Sequence, residues 1–191
     1  MPYSIIQPPF SFDFKTMPKP ELKAYFAWFM QVMPERIAGL EAAVQASAPS
    51  WRADESPDSL VGLGEWFDGQ VEERARSEEE VEEVKAGLSF PIEVPGQELT
   101  NRTFSLAMDI GMYFGRVVLA GVPGTRWDQS LKNARLADHG QPVVAGAGAV
   151  PLNPVRIAVT LAYGIADRSQ RGGPRLRELY DVWRRMLGPG A

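Results

Sequence analysis

Cysteine is absent from this sequence of 191 residues, and histidine occurs once, as His139. Without cysteine the chain can form no disulfide, no iron–sulfur cluster and no thiol nucleophile, and a single histidine nearly excludes the usual zinc sites. We therefore predict no metal site and no cofactor. A chain without disulfides suits a reducing compartment, so we expect the protein to act in the cytoplasm.

Motifs of the common enzyme classes are also missing. The sequence contains no G-x-S-x-G, H-E-x-x-H, G-x-x-x-x-G-K-[ST] or C-x-x-C, so hydrolase, zinc-protease and phosphate-loop chemistry has no support. The segment GAGAVP at 146–151 has Pro151 where a dinucleotide-binding loop has its third glycine. The N-terminal residues include neither a basic region nor an apolar run, and we expect no secretory signal.

Apolar residues recur at helical spacing through most of the chain, and capping residues mark where helices begin. Pro34 suits a first helical turn, so we predict that one helix ends before it and a second begins there. Ser56 and Pro57 predict the start of a helix that continues to about residue 75. Ser77 and Glu80 have the spacing of a capping box, which predicts a further helix.

The pattern is different in the second half of the chain. Residues 123–150 form short, β-leaning segments separated by glycine and proline, which predicts two or three antiparallel strands. Residues 153–187 carry two helices, and residues 1–17 form an extended segment for which an edge strand is one interpretation. The predicted fold is a helix-rich α+β single domain covering residues 1–191, mainly helical over 18–122, with a small antiparallel sheet in the C-terminal half.

Charge is divided unequally along the chain. Residues 1–100 hold 8 Lys/Arg and 18 Asp/Glu, whereas residues 101–191 hold 12 and 6, so the two halves carry −10 and +6 and attract each other. Six arginines concentrate near the C-terminus: Arg168, Arg171, Arg175, Arg177, Arg184 and Arg185. Such a cluster can bind nucleic acid, but no interleaved aromatic platform accompanies it. We therefore expect these arginines to face the acidic half or solvent, and we predict no nucleic-acid partner.

The stretch 106–122 is the one segment that resembles a membrane span. Asp109 and Arg116 near its centre would each cost about 2.5–3.5 kcal/mol in a bilayer. We therefore predict a helix buried inside the fold and no membrane partner.

A polar stripe runs along this helix. At about 100° per residue, five polar residues fall within one sector roughly 80° wide: Arg102, Ser105, Asp109, Tyr113 and Arg116. Gly111 and Gly115 lie on the opposite side, where we expect the apolar helix at 154–166 to pack closely. In one interpretation the stripe is solvated and Asp109 pairs with its neighbours.

In the other interpretation the stripe forms a concave binding site. Its candidate binding residues are Arg102, Asp109, Tyr113 and Arg116, with Trp127 and His139 as walls. We expect a structural role to prevail, with Asp109 partly buried and paired to an arginine.

The acidic N-terminal half offers a different kind of site. Four glutamates in the segment 72–83 are candidates for a surface that binds a basic protein partner: Glu72, Glu79, Glu80 and Glu83. Opposite charges on two proteins speed their encounter and select the partner.

Several apolar segments resemble an uncharacterised bacterial domain family. They are YFAWFMQVMPERIAGL, SLVGLGEWF, MDIGMYFGRVV, GQPVVAG, NPVRIAVTLAYGI and LYDVW. The family is similar in general character to small proteins encoded beside bacterial toxins or in variable loci, and an immunity-type protein is one interpretation of this resemblance.

Two hypotheses of function follow. The first is a non-enzymatic bacterial protein-binding module, of immunity type, whose acidic surface binds a basic partner such as a nuclease. The second is a small-molecule binder or enzyme that uses the polar stripe as a pocket.

Overall fold

The long apolar segment after Thr100 forms the central helix of the fold. The computed structural model describes residues 3–88, 90 and 93–188. Within these residues the helices are α1 (Lys19–Gln45), α2 (Ser59–Asp68), α3 (Glu78–Ala86), α4 (Asn101–Gly121), α5 (Pro154–Ala166) and α6 (Gly172–Leu187). The strands are β1 (Glu73–Ala75), β2 (Gln97–Leu99), β3 (Arg126–Gln129) and β4 (Pro142–Ala145).

The strands form two antiparallel pairs. β3 pairs with β4, with Arg126 opposite Ala145, and this pair is the small sheet predicted in the C-terminal half. The helix-rich α+β fold class is therefore confirmed. β1 pairs with β2, with Glu73 opposite Leu99, and the sequence did not predict this second pair.

Capping side chains fix the starts of three helices, and the sequence predicts two of these starts, at Ser77 and at Asn153. The Thr100 hydroxyl accepts a hydrogen bond from the Thr103 amide at the start of α4. At the start of α5 the Asn153 side chain accepts a hydrogen bond from the Arg156 amide. Ser77 and Glu80 form the reciprocal bonds of a capping box on α3. These side chains satisfy amide groups that have no partner within the helix.

The break predicted at Pro34 is wrong, because α1 continues through this residue. A proline inside a helix removes one hydrogen bond and costs about 3 kcal/mol. Phe29 and Met33 before it, and Leu40 and Val44 after it, are all buried. Because each such side chain contributes about 1.5–3 kcal/mol on burial, packing on both sides of Pro34 outweighs the loss.

Three other predictions about local structure are also wrong. The helix expected to run to about residue 75 ends at Asp68, after which residues 73–75 pair with β2. Its start lies at Ser59 instead of Pro57, although the Ser56 hydroxyl still accepts the Ser59 amide. Residues 3–17 contain no strand, since Pro8 and Pro9 lack the amide donors of a ladder.

Helix α4 lies at the centre of the core. Every residue from Ser105 to Gly115 is buried, and Met108 and Met112 pack against Phe29 and Met33 of α1. By length and composition alone α4 could cross a membrane, with a mean hydropathy of 1.2, but 72% of this stretch is buried inside the fold. A buried core helix passes the same test.

Glycine allows the closest approach between helices at two places. A Cβ atom on Gly111 would lie 2.6 Å from the Cα atom of Val155, so α5 packs directly on the backbone of α4, as predicted. A Cβ atom on Gly64 of α2 would overlap the carbonyl oxygen of Gly172 at the start of α6. Glycine at these positions lets the backbones meet.

Candidate functional site

The polar stripe of α4 divides into three separate groups of contacts. Asp109 and Tyr113 are fully buried, so the stripe as a whole is not solvated. Arg102 and Arg116 do not converge on them, since each pairs with residues from other segments. Fourteen positions of helix place these two arginines about 21 Å apart along α4, too far apart to bind one small anion.

Asp109 lies in a group of four side chains, here called the Asp109 network: Tyr3, Arg36, Ser105 and Asp109. Ser105 and Asp109 are buried, and Tyr3 and Arg36 are partly buried. Arg36 donates two parallel hydrogen bonds to the carboxylate, Nε to Oδ1 at 2.8 Å and Nη2 to Oδ2 at 2.7 Å. The Tyr3 hydroxyl donates to the same carboxylate and lies 2.9 Å from the Ser105 hydroxyl. This two-bond pairing is the strongest arrangement available to a carboxylate and a guanidinium.

The Asp109 network also binds the backbone of the N-terminal segment. Arg36 donates to the carbonyl oxygen of Ser4 at 2.9 Å, and the amide of Ile6 donates to the Ser105 hydroxyl at 2.8 Å. The network therefore joins the N-terminal segment to α1 and α4. Both carboxylate oxygens of Asp109 are used within the fold, so the contacts indicate a structural role.

Burial and pairing act in opposite directions on these groups. Burial raises the pKa of Asp109, and the hydrogen bonds from Arg36 and Tyr3 oppose that change. Burial alone would lower the pKa of Arg36, but the hydrogen bond and charge of Asp109 outweigh it and raise the pKa. Arg36 therefore stays charged beside the carboxylate.

Tyr113 and Arg116 both hold the loop that precedes α2. The Tyr113 hydroxyl lies 2.6 Å from the Ser59 hydroxyl and accepts the Glu55 amide at 3.1 Å. Arg116 donates to the Glu55 carboxylate, with Nε 3.0 Å from Oε1. Glu55 has a φ of 60°, a conformation that non-glycine residues seldom adopt. These contacts fix the loop in that conformation.

Arg102 lies near the first turn of α4 and binds the chain that precedes β1. Its Nη2 donates to the side-chain oxygen of Gln70 at 2.7 Å, and its Nη1 lies 3.8 Å from a Glu72 carboxylate oxygen. The Glu72 side chain, a candidate for the partner surface, stays 59% exposed beside this ion pair.

Trp127 and His139, the predicted pocket walls, each carry a buried nitrogen. The Trp127 ring covers Gly115 and packs edge-to-face on Phe29, with ring centres 5.5 Å apart. Trp127 Nε1 and His139 Nδ1 have no hydrogen-bond partner among residues 3–88, 90 and 93–188. Neither side chain is hydrogen-bonded to the polar stripe, and the six candidate residues do not form one pocket.

Ion pairs connect the acidic half of the chain with the basic half. Among the residues that the structure describes, three of them join a carboxylate of the first half to an arginine of the second: Arg102–Glu72, Arg116–Glu55 and Arg177–Asp58. The attraction predicted from the charge distribution is therefore present in the fold.

The four candidate glutamates of the acidic surface differ in their surroundings. Glu80 accepts two hydrogen bonds from Arg74, both at 2.8 Å, and a third from the Ser77 amide. Glu79 and Glu83 are exposed and have no ion-pair partner in the described part of the chain. Glu80 therefore supports α3, while Glu79 and Glu83 are available to another molecule.

The bonds to Glu80 predict an unusually acidic carboxyl group. The hydrogen bonds from Arg74 and then from Ser77 lower the pKa of Glu80 from 4.5 to about 2. Since the lowered pKa belongs to the folded state, these bonds stabilise α3 above pH 4.5, and the benefit is lost as the pH falls towards 2. We expect a carbon-detected NMR titration to find this pKa, and Arg74→Gln to raise it towards 4.5.

Lys85→Gln is the matched control for that titration. Lys85 pairs with Glu82 at 2.7 Å and has no bond to Glu80, so this variant should leave the pKa of Glu80 unchanged. An ordinary pKa for Glu80 in the unmodified protein would contradict the described contacts.

A cleft of about 390 Å³ lies beside α3, and the sequence did not predict it. Its apolar walls are Val84, Leu88, Val94, Pro95 and Tyr163. Its charged residues are Glu73, Arg76, Glu93 and Asp167. These residues come from α3, the β1–β2 region and the end of α5, so no local pattern in the sequence brings them together.

Comparisons with protein-family models, with curated proteins and with solved structures find no match for this chain. The resemblance to a bacterial domain family therefore stays a prediction. Among the residues that the structure describes, no group of three or more His, Asp or Glu side chains is arranged to hold a metal ion.

Proposed function

We propose that this chain is a non-enzymatic protein-binding module of the bacterial cytoplasm that receives a basic protein on α3. The observation that carries the proposal is that α3 buries none of its residues. A helix normally contributes to a fold by burying an apolar face. Since α3 contributes no such face, packing does not explain why the chain keeps this glutamate-rich helix. Binding of its glutamates to another molecule does.

Most of the carboxylates on α3 have no cationic partner among the described residues, and the first turn of the helix is fixed by its cap. We define the acidic face as Glu78, Glu79, Glu82 and Glu83. Of these four, only Glu82 has an ion-pair partner within the described residues, namely Lys85. The capping box and the Arg74 bonds fix the first turn of the helix, so its carboxylates keep a defined arrangement that a basic surface can match.

Exposed apolar side chains accompany these carboxylates. Val84 and Leu88 are exposed at the end of α3, and Phe90 is 76% exposed. Protein interfaces combine an apolar or aromatic centre with a polar rim. Exposed apolar side chains beside carboxylates favour a protein partner over a small molecule or a nucleic acid.

The resemblance stated above makes this proposal more specific. If the protein is of immunity type, its partner is a basic toxin, such as a nuclease, encoded by the neighbouring gene. Binding would then block the toxin without any chemistry by this chain, in accord with the missing catalytic motifs.

We expect Glu79→Lys with Glu83→Lys to slow association with that gene's purified product by about tenfold or more at low ionic strength. Both residues are exposed, so the fold should be retained. Association rates measured by biolayer interferometry at several salt concentrations check this result. Because salt screens charges, the difference in association rate between the variant and the unmodified protein should shrink as salt is added.

Asp13→Lys with Glu35→Lys is the matched control. It changes the net charge equally at exposed positions on the N-terminal segment and α1. Equal effects of the two variants would mean that net charge alone steers binding and would refute the acidic face. No binding of the neighbouring product to the unmodified protein would refute the immunity-type assignment.

A further inference from the structure

The cleft beside α3 has a shape and lining suited to a long side chain. Val84 and Leu88 form one wall, and Tyr163 of α5 belongs to the lining as well. The Tyr163 ring packs edge-to-face on Phe104, with ring centres 6.3 Å apart, and stays 39% exposed. An aromatic ring held in position by its neighbour, yet open to solvent, is a suitable surface for a planar group.

The cleft is also electrically negative. Its one cationic residue, Arg76, is only 11% exposed, and its Nη1 atom already donates to the carbonyl oxygens of Pro95 and Gln97 at 2.6 and 2.8 Å. Glu73, Glu93 and Asp167 have no ion-pair partner among the residues described. Three carboxylates thus surround a cleft whose own cation is paired with the Glu98 carboxylate at 3.5 Å and hydrogen-bonded to backbone carbonyl oxygens.

The pKa shifts of Asp167 and Tyr163 agree with a negatively charged cleft. The hydrogen bonds from Ser169 lower the pKa of Asp167, which keeps this carboxylate ionised. Burial, followed by the negative charge of Glu98, raises the pKa of Tyr163. The phenol therefore stays neutral and its ring stays available for stacking.

Apolar walls with a carboxylate rim match one kind of occupant. Lysine and arginine both combine an aliphatic stem with a cationic end. The guanidinium of arginine also stacks on aromatic rings and presents five donors to several carboxylates at once, whereas the ammonium of lysine is a more strongly hydrated point charge. Arginine is moreover enriched among the residues that dominate protein interfaces.

We propose that this cleft receives an arginine side chain of the basic partner, stacked on Tyr163 and paired with Glu93 and Asp167. The inference rests on the proposed function, since it names the residue by which the partner binds beside the acidic face. Acetyl-hexaarginine amide is the probe, and acetyl-hexalysine amide has the same charge without the planar group.

The test compares both peptides on three proteins by calorimetry and by NMR of side-chain methyl and aromatic groups. They are the unmodified protein, a cleft variant with Tyr163→Leu and Asp167→Asn, and a face variant with Glu79→Gln and Glu83→Gln. Leucine keeps an apolar contact with Phe104, and asparagine can still accept the Ser169 amide. Thermal melts of the three proteins confirm that each is folded.

We expect hexaarginine to shift the Tyr163 ring and Val84 methyl signals of the unmodified protein. It should bind the cleft variant about fivefold or more weakly, because a stacked cation and a charge pair are both removed. The cleft variant should lose less affinity for hexalysine than for hexaarginine.

Other outcomes separate this inference from the proposed function. If the face variant weakens peptide binding and the cleft variant does not, the acidic face stands and the arginine cleft is refuted. If neither variant changes binding, both proposals are refuted. Nuclear Overhauser contacts between the Tyr163 ring and residues 89–92 in the peptide-free protein would mean that the chain fills its own cleft, and would also refute the inference.

Discussion

Replacing Asp109 by alanine should lower the free energy of unfolding by about 3–5 kcal/mol, because it leaves the Arg36 charge without its carboxylate inside the fold. The Arg36 side chain is only 15% exposed, so water cannot fully replace the lost bonds. Tyr3 loses its carboxylate acceptor in the same variant and keeps only the Ser105 hydroxyl as an alternative. Urea denaturation followed by circular dichroism, with the same slope for both proteins, measures the change.

Two further variants separate pairing from simple packing. Tyr3→Phe removes one hydroxyl and should cost about 1–2 kcal/mol. Arg36→Met with Asp109→Leu removes both charges, and should cost less than Asp109→Ala alone because no ion is left unpaired. A loss below about 0.5 kcal/mol for Asp109→Ala is typical of an exposed polar stripe and would contradict the buried network.

Gly64→Ala should destabilise the protein by about 1–3 kcal/mol, although alanine is the better helix former. The added methyl group would overlap the Gly172 carbonyl oxygen and approach that of Gly173 within 2.9 Å. These are backbone atoms, so the contact can be relieved only by moving α2 away from α6. The thermal midpoint and the urea midpoint should both fall.

Gly39→Ala is the control for this prediction. Gly39 lies inside α1, and a Cβ atom there would meet nothing within 4 Å. We expect this variant to stabilise the protein by about 0.5–1 kcal/mol through helix propensity alone. If Gly64→Ala were equally stabilising, the close contact between α2 and α6 would be absent in solution.

Local chemistry made much of this fold predictable. Thr100, Asn153 and the pair Ser77 and Glu80 mark helix starts because a capping side chain acts within a few residues of its own position. Pro34 misled the prediction because the same residue suits a helix start, and only the burial of both halves of α1 decides the outcome. Strands β1 and β2 have three residues each and no alternating apolar pattern, so periodicity gives no signal for them.

The site was less predictable, because its contacts join residues distant in sequence. Asp109 was expected to pair with an arginine, but Arg36 lies 73 positions earlier and Tyr3 lies 106 positions earlier. Helical spacing predicts that Arg102 and Arg116 lie on the same side of α4 as Asp109. It does not predict which distant segment each arginine contacts. The cleft beside α3 depends on the approach of α5 and was missed for the same reason.

The pairing of α2 with α6 has a consequence for how the chain is made. The Gly172 amide donates to the Asp68 carboxylate across 104 positions of sequence, so α2 leaves the ribosome long before its partner exists. At a synthesis rate of about 5–20 residues per second, the interval is about 5–20 s. During that time Leu60, Leu63 and Phe67, which end fully buried, lack the part of their cover that α6 supplies, so the core around α2 can close only when the last helix has been made.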